Sequence, residues 1–203
     1  MAPISKNHVW TDVKAALAAR STTDLVALLR DLYQVSPENR RFLHGRLLGP
    51  EVEIEKYRTL IADAVYPDPL SQARIRISEA QRLIRHYYKA TGDLPGVVDL
   101  MFTFVEAGTE QAADLGYGDE DYFASLERTF RTAIDTLNTL DPAIRTQADS
   151  RVQKIVRRAD SIGWGYCDSV REIAASLGAP KPRRTQANRR RSTPARRSVT
   201  GLG

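Results

Sequence analysis

Residues 93–110 read DLPGVVDLMFTFVEAGTE. Val97, Val98, Leu100, Met101, Phe104 and Val105 return every three or four positions, the period of an α-helix and not the alternation of a strand. Asp93, Leu94 and Pro95 open the segment, and a proline in a first helical turn gives up an N–H that has no partner there anyway. No other stretch of the chain is so apolar, which predicts a central helix. Gly108 is the expected break in it.

The same period runs outward in both directions. Upstream, Val9, Val13, Ala16 and Leu17 share one side of a short first helix. Ser21, Thr22 and Asp24 form a start signal, with a hydroxyl for orphan amides and an acid in the positive first turn. Leu25, Leu28, Leu29 and Leu32 then lie on one face. Ser36-Pro37-Glu38 opens the next helix and Gly49-Pro50 ends it. Residues 51–66 read as an amphipathic helix that Pro67 and Pro69 stop. Residues 70–77 are ambiguous between an extended piece and a helical turn. Ser78 opens a helix that packs through Leu83, Ile84, Tyr87 and Tyr88 and closes at Gly92. Downstream, residues 120–140, a helix restarting at Asp141-Pro142, and a short last helix ending at Gly178 follow. The expected fold class is all-α: about nine antiparallel helices in an irregular bundle or a helical-repeat-like array.

Charge divides the chain in two. It has 203 residues, 30 basic and 25 acidic side chains, and a net charge of +5. Eight of the basic ones, Lys181, Arg183, Arg184, Arg189, Arg190, Arg191, Arg196 and Arg197, lie from Pro180 onward, where there is no acid. That leaves 22 basic against 25 acidic side chains, a net of −3, on the rest. Residues 1–179 are therefore expected to form one helical domain and residues 180–203 a disordered basic tail, too poor in apolar groups to build a core.

Several segments together carry a resemblance: TTDLVALLRDLYQVSPENRRFLHGRL, EKYRTLIADAVYP, ISEAQRLIRHYYKATGDLPGVVDLMFTFVEAGTE and GYGDEDYFASLERTF. In order and spacing they resemble a family of uncharacterised, mainly bacterial all-helical proteins known as a conserved domain of unknown function. The matching positions are Leu32-Tyr33, Tyr66-Pro67, Val105 to Gly108 and Gly118-Asp119, within residues 20–140. The resemblance implies the helical fold and brings no catalytic residue.

Most catalytic chemistries lack their motifs. His8, His44 and His86 each stand alone, without a second His or Cys at ligand spacing. His86 is placed where it can meet Glu106 or Asp63 in space, and a hidden active site would need groups such as His86, Glu106 and Asp119 to converge. Asp119-Glu120-Asp121 fails as a calcium loop, because Gly116 and Gly118 occupy ligand positions; it reads as a helix start, as do Glu51, Glu53 and Glu55. Cys167, the one cysteine, lies beside Asp168, which disfavours its thiolate. There is no nucleophile elbow, phosphate loop or dinucleotide fingerprint. No enzyme activity, metal or cofactor is expected.

Two basic features remain. The tail is a flexible polycation suited to salt-sensitive, sequence-blind contact with phosphates. Arg82, Arg85 and Lys89 make a second basic face on one helix stripe, with Tyr87 and Tyr88 near. The reading favoured is a non-enzymatic helical interaction or scaffold protein, cytoplasmic, with another protein as partner and the tail as auxiliary anchor. The alternative is an accessory protein binding DNA or RNA non-specifically through the tail.

Overall fold

The computed structural model describes residues 9–163 and 165–179. The basic tail residues, from Lys181 to Arg197, lie outside the described residues, as does His8. Within the described residues there are nine α-helices and no strand: α1 Trp10–Ala18, α2 Thr22–Val35, α3 Pro37–Leu47, α4 Ile54–Val65, α5 Ile77–Thr91, α6 Leu94–Leu115, α7 Glu120–Leu137, α8 Pro142–Ala159 and α9 Tyr166–Ala175.

The starts follow local chemistry. Ser21 Oγ accepts from the Asp24 amide at 3.1 Å, and Ser36 Oγ from the Asn39 amide at 3.1 Å. Asp119 and Asp141 cap α7 and α8 in the same way, each from a 2.8 Å bond. Each such cap is worth about 1 kcal/mol, because it satisfies a donor the helix itself leaves unpaired. Gly92 ends α5 in the left-handed region, at φ 71°, which a side chain rarely tolerates.

α6 is the hub. α4, α5, α7 and α8 all pack on it, and α9 closes the far side against α7 and α8. Leu100, Phe102, Phe104 and Val105 are buried in one core with Ile61, Leu126, Phe130, Ile134 and Ile155. A helix with four neighbours defines an irregular bundle; in a repeat array each unit meets only the next. Uncharged hydrogen bonds complete the core. Tyr122 Oη lies 2.8 Å from the Gly108 carbonyl and 2.9 Å from Gln111 Oε1, which share its one proton, and the Thr109 hydroxyl meets Tyr166 Oη at 2.8 Å. Among the described residues no helix is long and apolar enough to cross a membrane.

Two local expectations need correction. Gly108 does not break α6, which runs unbroken past it. The glycine makes room for the neighbouring helix: a Cβ there would sit 2.4 Å from Leu126 Cδ2. Leu126 is fully buried and has nowhere to retreat. Gly108→Val should therefore cost about 1–3 kcal/mol, as overpacking of a filled core does, read as a lower urea midpoint at unchanged m. Residues 51–66 are not one helix either. A 3-10 turn, Pro50–Val52, precedes α4, and the break matters below. The ambiguous residues 70–77 resolve into a 3-10 turn, Pro69–Ser71, and an irregular link whose Arg76 amide donates to the Ala64 carbonyl at 2.7 Å.

Candidate interaction surface

The apolar faces of α1 and α2 are not where a core needs them. The sequence stripe on α2 exists, yet neither helix buries a single residue. Leu28, Leu29 and Leu32 are 38%, 45% and 44% exposed, and Trp10 on α1 is 69% exposed. Of seventeen exposed large hydrophobic residues among those described, twelve fall between Val9 and Val52. Isolated large apolar groups on a surface are ordinary, whereas a concentration of them in one element marks a contact surface.

α2 is held at its C-terminal end. It packs on α3, and the Asn39 side-chain amide donates to the Leu32 carbonyl at 2.7 Å. Tyr33 Oη lies 3.1 Å from His44 Nε2. His44 Nδ1 in turn lies 2.5 Å from Glu53 Oε1, which also accepts from Lys56 Nζ at 2.8 Å. This chain runs from α2 through α3 to the residue preceding α4. Glu53 is fully buried and its Oε2 has no hydrogen-bond partner. Burial pushes the carboxyl up, but the bonds and charges of Lys56 and His44 outweigh it and hold Glu53 below the ordinary 4.5. Glu53 is thus the buried anchor of the arm's root, a role the sequence reading missed when it grouped it with first-turn acids.

The residues singled out in the sequence fall in several places. Arg82, Arg85 and Lys89 do share the outer side of α5 and are exposed. His86, Glu106 and Asp119 do not converge. His86 Nδ1 lies 2.5 Å from Tyr57 Oη, Glu106 is held by Arg151, and Asp119 caps α7. Tyr88, assigned to the packing set, is 49% exposed. Cys167 is half-buried. Among the described residues no group of three His, Cys, Asp or Glu side chains could hold a metal ion. The cleft of about 320 Å³ beside α6 has carboxylate and guanidinium groups in its lining, but there Asp99 already accepts from both Arg58 and Arg151.

His86 gives the body a pH dependence with a definite sign. Burial lowers its pKa from the ordinary 6.5, and the neighbouring Arg41, Lys89 and Arg82 lower it further, against a smaller opposing effect of Glu38. Below 6.5 the unfolded chain takes up a proton that the folded chain resists. Stability therefore falls as pH drops through about 6.5, since the unfolded state binds more protons there. Urea unfolding should give a lower free energy at pH 5.5 than at 7.5, and His86→Gln should narrow that difference.

Against protein-family models, curated proteins and solved structures, the chain has no match.

Proposed function

We propose that this protein is a helical interaction module whose docking element is the apolar side of the α1–α2 arm, and that its occupant is a second copy of the same chain. The observation that carries the reading is that α1 and α2 are amphipathic yet have no fully buried residue. Helices of 9 and 14 residues are marginal by themselves in water, because helices of this length draw most of their stability from tertiary packing. Docking would supply that packing.

The arm's charge supports a second copy as the occupant. Asp12, Asp24 and Asp31 balance Lys14, Arg20 and Arg30 between residues 9 and 35. Two such arms do not repel, and nothing in them calls for an acidic or a basic partner. The chain's own tail is a poor occupant: Val199 and Leu202 are its only large apolar residues. The face that matches an uncharged helical stripe of this length is the stripe itself, laid against its copy as helices pair in bundles.

Sedimentation velocity of the full chain tests it. A dimer at tens of micromolar is expected. A chain that stays monomeric at about 100 µM overturns self-docking and leaves the arm to a different protein.

A further inference from the structure

α3 and α5 lie side by side and run in the same direction. Arg82 Nη2 is 3.4 Å from Glu38 Oε1 near their starts, the Phe42 and His86 rings are 6.2 Å apart midway, and Arg46 Nη2 donates to the Lys89 carbonyl at 2.5 Å near their ends. Contact is close because Gly45 has no side chain; a Cβ there would lie 2.9 Å from Thr91 Cγ2. The pairing brings two sets of cations onto one surface. Residues 38–46 and 82–89 hold six Lys or Arg and one acid, Glu38.

Elsewhere on the body, among the described residues, some cations meet carboxylates and others, such as Arg128 and Arg131, do not. Arg58, Arg76, Arg151, Lys154, Arg158 and Arg171 each meet a carboxylate. On this face, among the described residues, Arg41, Arg46, Arg85 and Lys89 have no carboxylate partner. Arg41 lies 5.8 Å over the buried Tyr57 ring, and its Nε is buried without a hydrogen-bond acceptor. Four unbalanced cations gathered by the packing of two helices repel one another unless an anion joins them. Arg82 and Lys89 are seven residues apart, about 10 Å along the helix, so several phosphates can be met in a row. Tyr88 is 49% exposed and follows Arg85 by three positions on the same outer side. Cations that track a backbone beside an open aromatic ring are the elements of single-strand recognition, in which bases stack while phosphates are neutralised.

We infer that the paired α3–α5 face binds the phosphodiester backbone of a single nucleic-acid strand, with Arg82, Arg85 and Lys89 on the phosphates and Tyr88 beneath a base. This site belongs to the folded body. It is separate from the tail, and it does not depend on what covers the α1–α2 arm.

The test uses the full chain and a fluorescent twelve-residue oligothymidylate, with affinity measured from about 50 to 200 mM salt. Arg82→Ala/Arg85→Ala/Lys89→Ala should weaken binding at least tenfold. It should also lower the slope of log affinity against log salt by about 2, since each lost phosphate contact on a single strand removes about 0.7. Tyr88→Ala should weaken binding several-fold and leave that slope alone. A variant with Arg189, Arg190 and Arg191 changed to alanine tests the tail. If it loses the binding while the triple body variant keeps wild-type affinity and slope, the inference is overturned. Equal affinity for polyglutamate also overturns it, because the face would then be a general anion or acidic-protein surface.

A second readout needs no substitution in the face. His86 is bonded to Tyr57 of α4 and surrounded by Arg41 and Glu38 of α3 and by Arg82 and Lys89 of α5. A phosphate bound among those cations offsets their repulsion, so the His86 imidazole should titrate at higher pH with the oligonucleotide than without it. An oligonucleotide that binds while the His86 titration stays fixed contradicts the site.

Discussion

Replacing Leu28 and Leu32 together by glutamate is expected to abolish self-association and to leave the fold intact. The two effects separate because the leucines are 38% and 44% exposed in the single chain. In the body they contribute little; surface substitutions of this kind usually change stability by about 0.5 kcal/mol or less. Glutamate is nearly as good a helix former as leucine, and two glutamates four apart add only about 0.2–0.5 kcal/mol of local repulsion. In a docked pair each copy contributes two leucines. Burying a fully exposed leucine is worth about 1.5–3 kcal/mol and about two-fifths of each is still open here, so losing four weakens association by about a hundredfold to a thousandfold. Sedimentation should show a monomer at concentrations where the wild type is dimeric, with superimposable far-ultraviolet circular dichroism. If the variant remains a dimer, the α2 stripe is not the interface.

The second large effect lies in the core layer between α6 and α8. Arg151 forms a two-bond fork with Glu106, Nε to Oε1 at 2.8 Å and Nη2 to Oε2 at 2.7 Å. Its Nη1 donates to Asp99 Oδ1 at 2.7 Å and its Nη2 to Thr103 Oγ1 at 3.2 Å. The guanidinium also lies 5.4 Å over the Phe102 ring. Burial disfavours its charge, but Glu106 and Asp99 overcome that and hold its pKa above the ordinary arginine value. Arg151→Met would keep the packing and strand Glu106, whose side chain is only 17% exposed; Asp99 would keep Arg58 at 2.7 Å. Stranding one charge of a buried pair costs about 3–5 kcal/mol, and the residual exposure here places the expected loss near the lower end, about 3 kcal/mol. In a protein of this size that lowers the melting temperature by about 6–10 °C. Arg151→Met with Glu106→Gln should recover much of the loss, because no unpaired charge remains, whereas Arg151→Lys should recover less, having no fork. A single Arg151→Met variant as stable as wild type would show that the network contributes nothing.

What the sequence made legible and what it hid divide along a physical line. Starts and stops are local: Ser21, Ser36, Asp119 and Asp141 cap the helices they precede because the chemistry needs only the next two or three residues. Periodicity likewise showed that Leu25, Leu28, Leu29 and Leu32 share a face. It could not show what lies opposite that face, so the most consequential property of α2, that its own chain fully buries none of it, was invisible. Gly108 was misread because its reason belongs to another helix, where Leu126 needs the space. Glu53 looked like its neighbours Glu51 and Glu55; only the turn at Gly49 and Pro50 brings His44 back onto it. Arg151 drew no notice, since its partners lie 45 and 52 residues away. Arg82, Arg85 and Lys89 lie exposed along α5, but their company on α3, Arg41 and Arg46, emerges only from the side-by-side packing of the two helices.

The docking role of the arm is tested most directly by amide hydrogen exchange of the full chain at about 1 µM and 100 µM. Exchange between residues 10 and 35 should slow markedly at the higher concentration, while that of α6, already protected by the core, stays the same. Identical exchange in α1 and α2 at both concentrations would contradict the account, because a surface covered by a second copy must be protected in proportion to how often that copy is present.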